Sequence, residues 1–127
     1  MKNELVTFST AKLAKDAGFD EPCENGFNNA GKEFYNSLRF RNSKLNSTLF
    51  GRPTQSLLAR WLREKHGIHV EPGKYQKDSY CCLVFFYPEN VDMPSYIFDE
   101  DDGFFATYEL ALEAGLEKAL TYLKTKI

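Results

Sequence analysis

The chain has 127 residues, 43% hydrophobic and 27% charged, which suits one soluble domain with a single core and leaves no material for two. A formal net charge of -2 and a mean hydropathy of -0.47 exclude both a strongly basic nucleic-acid coat protein and a disordered acidic tail. The near-neutral total is a cancellation: between Lys32 and Lys77 ten Lys and Arg face three acids, a net +7, so the remainder carries -9.

The first predicted element is a helix over 9–17, capped by Ser9, stapled by Phe8 against Leu13, and closed by Gly18 in a left-handed exit that Phe19 locks. A strand over 21–27, turn chemistry at Asn28-Asn29-Ala30-Gly31 and a strand over 33–41 form a hairpin. On the second strand, alternation groups Phe34, Leu38 and Phe40 on a core face and Tyr35, Arg39 and Arg41 on a solvent face. The polar stretch 42–52 has no period and is expected to be a loop.

Pro53 or Thr54 opens the next helix, whose stripe is Leu57, Leu58, Trp61 and Leu62, and Gly67 ends it. Trp61 is expected to anchor the core. Ile68 and Val70 alternate with His69 and Glu71 in extended chain. The run 79–87 is apolar on both faces and reads as an interior strand, returning through 95–98 to a hairpin. The phases of Tyr75, Tyr96 and Tyr122 stay open. After the acidic turn 99–103, Thr107 caps a last helix reaching about Lys126, with Leu112, Leu116, Leu120 and Leu123 on one face. The order α-ββ-α-ββ-α predicts a small single α+β domain over 1–127, an antiparallel sheet from two hairpins packed against about three helices.

Three cysteines include the adjacent Cys81 and Cys82, whose side chains leave opposite faces of a strand, so the expectation is buried thiols in a reducing cytoplasm. The amino terminus lacks a signal-peptide core, and no run approaches the ~18 apolar residues of a membrane span. His66 and His69 with Cys81 or Cys82 form too sparse a set to predict a metal site, since neither C-x-x-C nor H-E-x-x-H fixes them. Aligning Gly103 and Glu109 with a calcium loop puts Phe98 where an oxygen ligand is needed. No nucleophile elbow or phosphate loop is present, so no catalytic residue, metal or cofactor is assigned, and an enzyme would need a site assembled from scattered residues. A helix-turn-helix is excluded by the hairpin between its two candidate helices. One surface merits a test: Arg39 and Arg41 with Tyr35, joined by Arg60 and Arg63 off the apolar stripe of the second helix, could contact nucleic acid or an acidic partner.

Four stretches carry a resemblance: TFSTAKLAK (7–15), GFDEPC (18–23), PTQSLL (53–58) with WLREKH (61–66), and TYELALEAGL (107–116). Together they resemble small uncharacterised proteins encoded by phages and integrated mobile elements of gut anaerobic bacteria. Leu110 stands where that group is expected to have Glu. The resemblance implies an accessory protein of a host cytosol and carries no residue role across. The leading expectation is a non-enzymatic interaction module with a protein partner and no membrane contact. The alternative is a modest nucleic-acid binder using the basic centre.

Overall fold

The computed structural model describes residues 4–100 and 103–126, so residues 101 and 102 of the expected acidic turn lie outside the described residues. In chain order the elements are α1 (Phe8–Asp16), β1 (Cys23–Asn28), β2 (Glu33–Phe40), a 3-10 turn (Asn42–Lys44), β3 (Leu49–Arg52), α2 (Gln55–His66), β4 (His69–Gln76), β5 (Ser79–Phe86), β6 (Ser95–Phe98) and α3 (Tyr108–Lys126). The fold is α+β, with strand groups and helices alternating as expected.

The single expected sheet is replaced by two antiparallel sheets of three strands, ordered β2-β1-β3 and β4-β5-β6. Part of the expected loop 42–52 is β3, whose Phe50 and Gly51 pair with Phe27 and Gly26 of β1. Four residues containing a glycine show no readable period; only the ladder to β1 defines the strand. In the second sheet the main hairpin is β4–β5, turning at Lys77 and Asp78, and β6 is added as a third strand. Pro72 and Gly73 obscure β4 in the sequence, and an edge strand tolerates both.

Helix α1 starts earlier than expected. Thr7, not Ser9, is the cap, its hydroxyl accepting from the Thr10 N–H. Phe8 therefore sits in the first turn instead of forming a staple, and its ring packs against Phe27 and Phe50 at centroid distances of 5.3 and 5.8 Å. The exit is as expected. Gly18 has φ 93°, the Phe19 N–H donates to Ala14 O at 2.9 Å, and the Gly18 N–H donates to Lys15 O at 3.1 Å, a Schellman closure. Phe19 is then buried edge-on against Trp61. Helix α2 is capped by Thr54 and buries Leu58, Trp61 and Leu62. The four expected leucines of α3 are all buried, and Thr107 accepts from the Leu110 N–H.

One core joins both sheets and all three helices. Helix α3 reaches the second sheet because Gly115 leaves room for it: a β-carbon there would stand 2.3 Å from Cys82 Sγ and 3.0 Å from Val70 Cγ1. Half a turn earlier, Glu113 forms a polar junction. Its Oε2 accepts from the Thr7 N–H and the Thr7 hydroxyl, each at 3.0 Å, and from the Thr10 hydroxyl, while Oε1 accepts from Gln55 Nε2 at 2.9 Å. A capping box uses an acid at the third helical position to bind the cap's own N–H. Here that position is Thr10, and Glu113 supplies the carboxylate from another helix.

Replacing Glu113 by Gln turns one acceptor oxygen into a donor facing donors. We expect Glu113→Gln to lower the unfolding free energy by about 1–3 kcal/mol in urea titrations, with Glu117→Gln on the same helix staying within about 0.5 kcal/mol. Gly115→Ala should also destabilise, because a packing cost of about 1–3 kcal/mol opposes a helix-propensity gain of about 1 kcal/mol. The penalty should shrink in a Cys82→Ala background, which a double-mutant cycle measures.

Candidate functional site

The strand part of the basic surface singled out in the sequence is not built as alternation predicts. Alternation along β2 breaks between Tyr35, opposite Asn25, and Phe40, opposite Cys23, where β2 spends more residues than β1. Arg39 sits in this bulge with φ 56°. Tyr35, Arg39 and Arg41 therefore do not share a strand face; Arg41 lies past the strand end, and Leu38, expected in the core, is 87% exposed.

Part of this charge is locally answered. Arg39 Nε pairs with Glu24 Oε1 at 3.2 Å, and Arg52 pairs with Glu33 at 2.9 Å while donating to Val6 O. Arg41 donates to Asp20 O. The Ser43 N–H donates to Asp20 Oδ1 at 2.7 Å and holds that carboxyl below its ordinary range, helped by the charges of Arg41 and Lys44. Arg39, Arg41 and Lys44 do meet around an open depression of about 490 Å³ with Leu38 and Phe40. Arg60 and Arg63 are exposed on α2 and line no depression that contains the β2 arginines.

A second depression, about 280 Å³, lies between β1 and the start of α2 and gathers Cys23, Glu24, Arg39, Arg52 and Thr54. Glu24 and Arg39 pair with each other there, Arg52 donates to Val6 O, and Thr54 accepts from the Leu57 N–H. Cys23 Sγ donates to Glu21 O, and burial, reinforced by the Glu21 charge, pushes the thiol up to about 11. This is the opposite of an activated nucleophile. The two histidines stand apart from the thiols: His66 lies edge-on to Trp61, and His69 stacks on Phe85 at 5.1 Å. Among the described residues no three His, Cys, Asp or Glu side chains converge as metal ligands.

The third surface was not legible as a site. Pleating sends Val70, Cys82, Val84 and Phe98 toward α3 and the core. The opposite face of the same sheet carries His69, Glu71, Cys81, Leu83, Phe85, Tyr87 and Tyr96, of which Cys81 is buried. Phe85 is its centre, with Tyr96 at 5.6 Å and Tyr87 edge-on at 6.0 Å. Tyr87 and Tyr96 are 54% and 53% exposed, and Val91 and Met93 of the β5–β6 connection between them in sequence are exposed as well. At the other end of the face, Tyr75 and Phe104 pack on each other at 4.5 Å, both about half exposed. Tyr75 and Tyr96, whose phase the sequence left open, thus belong to this face, whereas Tyr122 packs on Phe86.

A signal for this surface existed in the charge order. From Asp78 to Glu117 there is no Lys or Arg and there are ten Asp and Glu. The aromatic face lies within that interval, apart from the residues β4 contributes. Counting charge by the basic middle alone concealed it.

Cys81 and Cys82 leave opposite faces of β5 as expected, and all three cysteines are free and buried. No described helix is long and apolar enough to cross a membrane. Comparisons of the chain with protein-family models, with curated proteins and with solved structures found no match.

Burial, with a smaller push from Cys81, raises the Cys82 thiol to about 12, against an ordinary value of 9.0. Below pH 9 both folded and unfolded chains keep the proton; above it the unfolded chain releases protons first, so stability falls as pH rises toward 12. Urea midpoints measured from about pH 8 to about pH 10.5 should therefore decline, and decline less steeply in Cys82→Ala.

Proposed function

We propose that the chain is a non-enzymatic protein-interaction module that docks its partner on the open aromatic face of the β4–β5–β6 sheet. The observation that carries this reading is that Phe85, Tyr87 and Tyr96 form one contiguous cluster on a sheet face whose other side is already filled by the core. Contiguous exposed apolar surface on a small domain costs solubility unless it is used, and aromatic clusters of this kind supply much of the binding energy at protein interfaces. In the depression around Cys23, Glu24 and Arg39 pair with each other and burial raises the thiol, which favours binding over turnover. Three buried free thiols agree with a reducing cytoplasm, and the resemblance to proteins of phages and mobile elements agrees with an accessory role there.

A second reading, nucleic-acid binding, is favoured by the depression around Arg39, Arg41 and Lys44. Against it, Glu24 and Asp20 already answer part of that charge.

Two measurements separate the readings. Tagged chain used as bait in lysate of its native cell should retain a protein that a folded Tyr87→Ser/Tyr96→Ser variant loses; identical sets from both baits would overturn the docking reading. Fluorescence anisotropy with single- and double-stranded DNA, across a salt series, should show no binding at low salt. Salt-sensitive binding abolished by Arg39→Ala/Arg41→Ala would establish the second reading instead.

A further inference from the structure

The electrostatics of the aromatic face narrow its occupant, given the docking reading proposed above, on which the inference rests. Glu71 stands on the face itself, on the same side of β4 as His69, opposite Leu83. Glu89 and Asp92 are exposed in the β5–β6 connection that borders Tyr87 and Tyr96. The nearest cations along these strands, Lys74 and Lys77, belong to the far end of the β4–β5 hairpin, where Lys74 Nζ lies 6.0 Å above the Tyr80 ring on the other face. No Lys or Arg occurs between Asp78 and Glu117. The aromatic cluster is thus bordered by negative charge without a compensating Lys or Arg from β5, β6 or their connection.

We infer that this face binds a cationic polypeptide segment of a partner protein, one that carries Lys or Arg side chains interleaved with apolar ones. Apolar side chains of such a segment cover Leu83, Phe85, Val91 and Met93. Its ammonium or guanidinium groups find two complementary features: the negative faces of Tyr87 and Tyr96, and the carboxylates of Glu71, Glu89 and Asp92. A nucleic-acid strand could stack on the same rings, but its phosphates would meet those carboxylates with no cation between them. Two copies of the chain packed face to face would bring two acid-bordered faces together with no Lys or Arg from β5, β6 or their connection to pair the carboxylates, which disfavours that pairing.

The test titrates the full-length, isotope-labelled chain with a blocked heptapeptide alternating Lys and Leu, followed by amide NMR. Its Glu and Leu counterpart and oligo-dT serve as competing probes, and sedimentation of the chain alone reports self-association. The Lys/Leu peptide should shift amides of β5, β6 and their connection, and bind more weakly as salt rises. Glu89→Lys/Asp92→Lys, two exposed loop positions whose exchange leaves the core untouched, should weaken it at least tenfold, and Tyr96→Ser at least fivefold. The inference is overturned if neither peptide binds at millimolar concentration, if the Glu/Leu peptide binds equally well, or if the shifts centre on β2. Oligo-dT shifting the same amides would overturn it in favour of nucleic acid. A concentration-dependent dimer broadening this face would overturn it in favour of a second copy. A captured partner that depends on Tyr87 and Tyr96 but ignores Glu89→Lys/Asp92→Lys would sink the cationic occupant while leaving the docking face intact.

Discussion

The position of every helix depends on the carboxylate of Glu113. Helix amino termini expose N–H groups that need acceptors, and α1 begins with threonines at both its cap and its third helical position. By accepting from Thr7, Thr10 and Gln55 together, one side chain of α3 binds the starts of α1 and α2 to itself. Gln55 adds a second bond from the same amide to Glu109 O at 3.0 Å. Negative charge at two helix amino termini is also favoured by their dipoles. The backbone repeats the connection, since Val6 donates to Pro53 O and Gln55 to Glu4 O. The first sheet is fastened to the same region through Asn42, a buried amide that donates to Phe19 O at 2.9 Å and accepts from the Gly51 N–H at 2.8 Å. Asn42 thereby links the exit of α1 to β3.

With α3 fixed in this way, the second sheet has one face filled by the core and one that no described helix covers, wet at Tyr87 and Tyr96. Gly115 lets the helix approach Cys82 and Val70 closely, so the α3 side of β5 fills with apolar atoms. Among the described residues no helix covers the other side of β5. Tyr87 and Tyr96 remain half in water because the three helices among the described residues all pack into the common core. Exposure of these rings follows from topology: two separate sheets offer four faces, and three helices cannot cover them all.

How far the fold was legible depended on whether information was local. The stripe Leu58, Trp61 and Leu62, the closure at Gly18 and the leucines of α3 were readable because helix burial repeats at fixed spacing. β3 was invisible because its evidence lies in β1. Leu38 was assigned inward by a rule of alternation that a bulge cancels, and a bulge is set by pairing register, which a single strand does not encode. Glu113 stands early in α3, where an acid also suits that helix's own dipole; that it serves another helix is a tertiary fact. The partners of the basic side chains were hidden for a different reason. Arg39, Arg41, Arg60 and Arg63 were chosen by sign of charge, while Glu24 and Asp20, which answer the first two, lay outside the segment counted. The aromatic face resembled strand filling, because apolar residues on both sides of β5 look alike whether one side is covered or not.

The bulge in β2 has a consequence for solubility. A sheet edge is a row of unpaired N–H and C=O groups on which another strand can add, and the strand orders place β2 and β3 at the rims of one sheet, β4 and β6 at those of the other. β3 and β6 are only four residues long. β4 carries Pro72, which has no N–H to offer. The long edge β2 is interrupted by Arg39 in a left-handed conformation, with charged side chains beside the break. Every rim is thus poorly suited to indefinite strand addition. A protein that keeps aromatic rings in water on a sheet face can stay dispersed only if its edges refuse to polymerise, and the distorted strand that defeated simple alternation is part of that protection.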